Sequence, residues 1–213
     1  LRVARLDRDT VGGKSSVFSR TFDAFGKGNL DCLLGTQMVA KGLDFPNVTL
    51  VLVLEADTGL HLPDFRASER TFALLTQVAG RSGRGDSPGE VVLVCKKPES
   101  QVFQQVLGHR WDDFVESEQA LRQVFRYPPY SRLLRILMSD EKQERLEQVA
   151  GELEQGLDEN LTETRVEALG PAPCPLEKLQ GGYRWHVLLR APAVQDLQVV
   201  VRKLAATLDF GKT

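Results

Sequence analysis

The stretch QVAGRSGRG, residues 77–85, sets Arg81 and Arg84 three residues apart, each directly after a glycine. At that spacing two side chains lie about one helical turn apart and project to the same side. Each guanidinium is a rigid fork matched to phosphate oxygens. Gly80 and Gly83 let the backbone bend and come close to a ligand. An arginine aimed at a γ-phosphate stabilises the charge of phosphoryl transfer, an effect worth ~10³–10⁵ in rate. The plainer reading is a pair of solvated arginines beside a glycine turn, and the motif alone does not separate the two.

Other stretches invite chemistry less securely. GGKSS, residues 12–16, stands between an apolar strand pattern and a helix pattern, the setting of a phosphate-binding loop. The Walker pattern needs a glycine at position 8, where the chain has Arg8. VLVLEAD, residues 51–57, matches a Walker B strand only loosely, with Glu55 or Asp57 as the metal-facing acid. In PDFRASER, the charged Asp64, Arg66, Glu69 and Arg70 suit a bridge to another lobe or to DNA, or else a helix start capped near Ser68. Trp111, Phe114 and Phe125 read as core rather than as base-stacking platforms. GGYRWH, residues 181–186, is an aromatic and basic strand after two glycines. Alternation puts Tyr183 and Trp185 on one face and Arg184 and His186 on the other.

The elements that must position these groups alternate. Strands are expected at Leu1 to Leu6, Cys32 to Leu34, Val48 to Leu54 and Glu90 to Cys95, the third as a fully buried parallel strand. Helices are expected at Ser15 to Phe25, where Phe18, Phe22 and Phe25 repeat at helical spacing, and at Ser68 to Ala79, Gln101 to Leu107 and Trp111 to Val124. That alternation predicts an α/β layer architecture with a mostly parallel sheet. The prolines of RYPPYS then break the chain. Beyond them come strand Leu133 to Met138, helix Glu141 to Leu157, strands Arg165 to Leu169 and Tyr183 to Leu189, and helix Val194 to Leu208. This βαββα run is a small α+β, ferredoxin-like unit without its last strand. The expected organisation is a first domain over 1–108, a helical connector over 109–131 and a C-terminal domain over 132–213. Glu144, Glu147, Glu152 and Glu154 should form a plain solvent face on the helix from Glu141.

Composition sets outer limits. With 213 residues and 42% hydrophobic content the chain can bury a real core. A formal net charge of −2 does not advertise nucleic-acid binding, so any such contact must be local. Cys32, Cys95 and Cys174 stand far apart with no C-x-x-C spacing, against a self-contained cysteine zinc site or a disulfide framework. A reducing cytoplasm fits, no apolar run suits a membrane span, and no signal peptide is visible. The opening on Leu1, inside a strand pattern, reads as the start of a fragment.

GTQMVAKGLDFPNV, residues 35–48, and the paired-arginine stretch together resemble the fifth and sixth motifs of superfamily 2 helicases. Thr36, Ala40, Lys41, Gly42, Asp44 and Pro46 match the first; Gln77, Gly80, Arg81, Gly83 and Arg84 match the second. ARLDRDT, LPDFRASERTFALLTQVAGRSGRG and LGPAPCPLEKLQGGYRWHVLLR narrow the resemblance to the primosomal protein N′ family of replication-restart helicases, over nearly the whole chain. The resemblance implies a second RecA-like helicase lobe followed by the family's C-terminal domain. It implies an ATP-dependent 3′-to-5′ DNA helicase that recognises stalled or branched forks and restarts replication by primosome assembly. Arg81 and Arg84 then take the positions that reach the γ-phosphate of ATP held with Mg²⁺ on the other lobe, with Gln77 in support. Gly42 and Asp44 fall at the nucleotide, and Thr36 and Lys41 along the DNA backbone. Implied partners are branched and single-stranded DNA, the single-stranded DNA-binding protein, whose acidic tail suits Arg184, other primosome proteins and the loader of the replicative helicase. The Walker lobe and the family's cysteine-rich zinc module are not in these residues, so the chain is expected to hold half an ATP site and to be inactive alone. A non-motor DNA- or protein-interaction module that keeps the lobe's fold is the competing expectation.

Overall fold

The computed structural model describes residues 1–7, 15–36, 45, 47–80 and 89–207. Contacts divide the chain into two compact units, Leu1–Glu116 and Ser117–Thr213.

The first unit is built from β-α-β turns of chain. Strand β1 (Val3–Leu6) leads to α1 (Ser15–Gly26) and β2 (Cys32–Gly35), which pairs parallel to β1 from Val3↔Cys32 to Leu6↔Gly35. Strand β3 (Leu50–Val53) passes through a 3-10 turn (Thr58–His61) and α2 (Ala67–Ala79) to β4 (Glu90–Leu93), again a parallel pair. Parallel neighbours need a crossover of this length, and a helix supplies it. Among the described residues the strands form these two pairs. Helices α3 (Gln101–Leu107) and α4 (Trp111–Val124) follow, with the division between the units falling inside α4. The core gathers Phe72 and Leu75 of α2, Phe103 and Val106 of α3, Phe114 of α4 and Ala56, with Val53 and Leu93 against them. All four helices lie where the 3.6-residue period placed them, within a residue or two.

Two expectations fail here. β3 is not fully buried: Leu50, Leu52 and Leu54 are 57%, 53% and 67% exposed. A continuous apolar run cannot tell a strand covered on both faces from one covered on a single face, and β3 alternates exposed and half-buried residues. Phe114 is core, but Trp111 and Phe125 are 57% and 55% exposed. Trp111 lies against Phe72, with ring centres 5.4 Å apart, and still leaves more than half its surface to water.

The second unit is an antiparallel sheet with helices against one face. Strand β5 (Arg132–Asp140), α5 (Gln143–Leu161), β6 (Glu167–Leu179), β7 (Gly182–Ala191) and α6 (Val194–Thr207) follow in order. The sheet order is β5-β7-β6, with β7 antiparallel to both neighbours. This is the split βαβ arrangement of ferredoxin-like units, in which the hairpin strand inserts between the two joined by a helix. Leu146, Ala150, Leu153 and Leu157 of α5, Val187, Leu189 and Ala191 of β7, and Leu197, Val200 and Leu204 of α6 form its core. Glu144, Glu147, Glu152 and Glu154 are exposed on the far side of α5.

β6 runs ten residues past the end expected for it, through the prolines at 171, 173 and 175. It survives them because it is an edge strand, where a missing N–H can face outward, and because its register with β7 shifts between Leu169 and Ala172 and again after Pro173. The RYPPYS segment is tied to the same sheet. Arg126 donates to both oxygens of Glu167, at 2.6 and 2.9 Å. Arg190 donates to Glu167 Oε2 at 2.5 Å and to the Phe125 carbonyl at 2.9 Å. These bonds hold the Glu167 carboxyl below its ordinary value, chiefly through Arg190 and then Arg126.

Candidate functional site

Helix α2 carries the approach to the paired arginines. Ala67, Thr71, Phe72, Leu75 and Val78 form its buried stripe, which fixes its rotation against the core. Its start is set by Asp64. That carboxylate accepts the Arg66 backbone N–H at 2.9 Å and the Arg66 and Arg70 guanidiniums at 3.1 and 2.9 Å. Hydrogen bonds from Arg66, then the charge of Arg70, hold it below the ordinary carboxylate range. Arg66 occupies the cap position without a side-chain cap bond, so Ser68 lies within the first turn and does not cap it. Glu69 lies in that first turn, where its charge complements the helix dipole. At the other end the Gly80 N–H donates to the Thr76 carbonyl at 3.0 Å. Gln77, half-buried, sits on the last turn. Arg81, Gly83 and Arg84 lie outside the described residues.

Thr36 is exposed directly after β2. Since β1 and β2 are parallel and Leu6 pairs with Gly35, Asp7 and Thr36 leave the same end of the pair. The carboxyl ends of parallel strands are where open α/β sheets bind ligands. Asp7 is buried there and accepts from Arg5 Nε at 2.5 Å. Lys41, Gly42 and Asp44 lie outside the described residues. Phe45, just after them, packs on Phe22 and Phe25 of α1, with ring centres 5.7 and 4.9 Å apart. Sequence reasoning passed Phe45 over. The signal was there in α1, whose phenylalanine stripe needed an apolar partner.

The loose Walker B reading finds a structural explanation. Asp57 is buried and accepts the Lys96 backbone N–H at 3.0 Å, tying the end of β3 to the end of β4. That bond, against the opposing effect of burial, lowers its pKa. Lys14, with most of GGKSS, lies outside the described residues. Among the described residues no group of histidine, cysteine or acidic side chains is arranged to hold a metal ion.

In the second unit, Tyr183 and Trp185 of β7 pack against the core, and Arg184 and His186 alternate onto the outer face of the sheet. Lys178 is engaged: its ammonium sits over the Tyr183 ring, 4.6 Å from the centre. Burial and the neighbouring Arg135 push the His186 pKa down, favouring the neutral ring. Arg184, half-buried, has no carboxylate within ion-pair distance among the described residues.

The parallel β-α-β turns of the first unit are the architecture expected of a helicase lobe. Residues 5–86 match the family model of the helicase conserved C-terminal domain, and residues 123–212 that of the primosomal protein N C-terminal domain. The chain belongs to the family of the replication restart protein PriA. It is 40% identical over 204 residues to the replication restart protein PriA of Bacillus subtilis, covering 95% of this chain and 25% of that protein. Its counterpart in Treponema pallidum is 38% identical, covering 94% of this chain and 30% of the relative. The Synechocystis protein is 39% identical, covering 91% and 23%. The chain therefore spans about a quarter of the length of the curated relatives it matches. No helix among the described residues is long and apolar enough to cross a membrane.

Proposed function

We propose that this chain supplies the second motor lobe and the C-terminal domain of an ATP-dependent 3′-to-5′ DNA helicase that restarts replication at stalled or branched forks. One observation carries the reading: a helicase C-terminal domain and a primosomal protein N C-terminal domain stand side by side in one polypeptide. In this reading Arg81 and Arg84 stabilise the charge that develops on the γ-phosphate of ATP·Mg²⁺ held by a facing lobe, and Gln77 supports them. Gly42 and Asp44 border the nucleotide. Thr36 and Lys41 bond the phosphate backbone of single-stranded DNA, which gives affinity without sequence preference. Arg184 receives carboxylates of an acidic partner, the tail of the single-stranded DNA-binding protein. The other primosome proteins and the loader of the replicative helicase complete the partner set, and the zinc module belongs to the remainder of the family's fold.

The test grafts this chain in place of the matched region of the Bacillus subtilis relative and measures DNA-stimulated ATP hydrolysis. Arg84→Ala should lower kcat by about 10³ or more while DNA affinity stays nearly constant. Arg81→Ala should do the same, with the double variant far from additive, since both serve one site. If DNA affinity fell in step with hydrolysis, the arginines would belong to the nucleic acid and the motor reading of this motif would fail.

A further inference from the structure

Two arginine–aspartate pairs of different build flank β1. Just before the strand, Asp31 accepts from the Arg2 backbone N–H and from its Nε and Nη2, and the Gly28 carbonyl takes a further Nη2 bond. Both side chains of that pair lie on the surface, where they tie together segments distant in sequence. The second pair is lopsided. Arg5 donates from Nε to Asp7 Oδ2 at 2.5 Å and sets Nη2 on the same oxygen. The aspartate side chain is only 12% exposed and the arginine side chain 67%. The Nη1 edge of the Arg5 guanidinium has no partner among the described residues.

Alternation along β1 sets Arg5 on the face opposite the one that buries Leu6. Arg5 reaches forward along the chain to Asp7, so its guanidinium lies at the carboxyl end of the β1–β2 pair. Thr36 follows directly on the Leu6↔Gly35 pair and is exposed at that same end. Val3 and Leu34 leave about half their surface open on the Arg5 face; whatever covers them, Asp7 fixes the guanidinium at the strand end. An exposed ion pair adds little stability, and burying its carboxylate costs solvation, so stability alone is a poor reason for this arrangement. What it does supply is a rigid fork held still with one edge free. A long side chain that is already ordered loses less freedom when it meets a ligand.

We propose that Arg5 is a further contact to the phosphate backbone of single-stranded DNA, with Asp7 as the positioning residue that holds it beside Thr36. This rests on the reading of Thr36 as a backbone contact and adds a charged donor to a neutral one. The guanidinium edge left by Asp7 suits an anionic phosphate oxygen, and the Thr36 hydroxyl can donate to the same strand. The Asp7 carboxylate stays behind the fork, buried, where its charge bears on Arg5 more than on the ligand. A contact of this kind sets affinity and register without reading base sequence.

Fluorescence anisotropy of labelled oligothymidylate with the 213-residue chain, over a salt series, tests this. Arg5→Gln should weaken binding about tenfold and lower the slope of log affinity against log salt by about 0.7, the share of one phosphate on a single strand. Arg5→Lys keeps the charge and loses the fork, so it should recover the slope and only part of the affinity. Both change an exposed side chain and leave the unit's core intact. Asp7→Asn removes a negative charge near a polyanion, which by charge alone would tighten binding. As the anchor of Arg5 it should weaken binding instead, and the double variant Arg5→Gln/Asp7→Asn should bind no worse than Arg5→Gln. Tighter binding by Asp7→Asn refutes the positioning role. If Thr36→Val weakens binding while Arg5→Gln leaves affinity and slope unchanged, Arg5 only neutralises Asp7, and the proposal fails while the reading of Thr36 stands. If neither substitution changes binding, this strand end does not meet DNA and both fail.

Discussion

Phe72 is the side chain on which the placement of α2 most depends. It is 2% exposed, and its ring lies nearly parallel to that of Phe114, with centres 4.0 Å apart and planes 7° apart. Truncating a buried phenylalanine costs about 3–5 kcal/mol, more where the walls cannot collapse. Leu75, Phe103 and Val106 are themselves almost fully buried and form rigid walls. Trp111, which packs on Phe72 and is more than half exposed, is free to slide inward, so Phe72→Ala should cost about 3–4 kcal/mol. Phe114→Ala should cost a similar amount, and the double variant about 1–2 kcal/mol less than the sum, because the pair shares one contact and one cavity. The chain has two units, so a single global transition is the wrong reporter. Native-state hydrogen exchange under increasing urea separates them. Opening free energies should fall for amides of α2 and α3 and stay constant for α5 and β7. Additive losses, or a loss below about 1 kcal/mol, would show that the rings are not the packing unit described.

Three further outcomes follow from single contacts. Gly170 has φ +98°, and a Cβ there would stand 2.8 Å from the His186 carbonyl oxygen, so Gly170→Ala should destabilise the second unit by about 2 kcal/mol or more, read by thermal denaturation. Glu167 has a folded pKa lowered from 4.5 by Arg190 and Arg126; its contribution should be complete above that value and be lost as the pH falls through the lower folded one, with Glu167→Gln removing this component of the acid dependence. Trp185 buries an indole N–H with no partner among the described residues, so Trp185→Phe should leave stability within about 1 kcal/mol of the parent, whereas a well-bonded indole would lose more.

The helices were legible because their signals are local. Phe18, Phe22 and Phe25 mark one face of α1, the glycines at 80 and 108 stop α2 and α3, and no distant contact is needed to see either. β6 was legible only in its first part. Three prolines argue against a strand unless the strand is known to be an edge, and that is settled by β7, which lies later in the chain. β3 failed for a related reason, since hydrophobicity reports a preference for burial and the partner that provides it lies elsewhere. At Arg81 and Arg84, which lie outside the described residues, the reading rests on residue type and spacing alone. Asp64 was ambiguous in sequence. Its role in starting α2 emerges only when Arg66 and Arg70 are seen folding back onto it.

The distribution of charge shows why a net charge of −2 says little about what this chain binds. In the second unit, Arg126 and Arg190 are spent on Glu167, where they fasten the segment before β5 to the sheet. Arg135 and Arg184 stand on the outer face of the same sheet without acidic partners among the described residues. The glutamates of α5 project from the other side, beyond a helix that covers the core face. The two signs are thus separated by the thickness of the domain, more than one Debye length at physiological salt, and neither cancels the other's field near its own surface. A polyanion meets repulsion along α5 and attraction across the outer face of β5 and β7. That face sets leucines and the His186 ring between its cations and keeps Tyr183 and Trp185 turned inward.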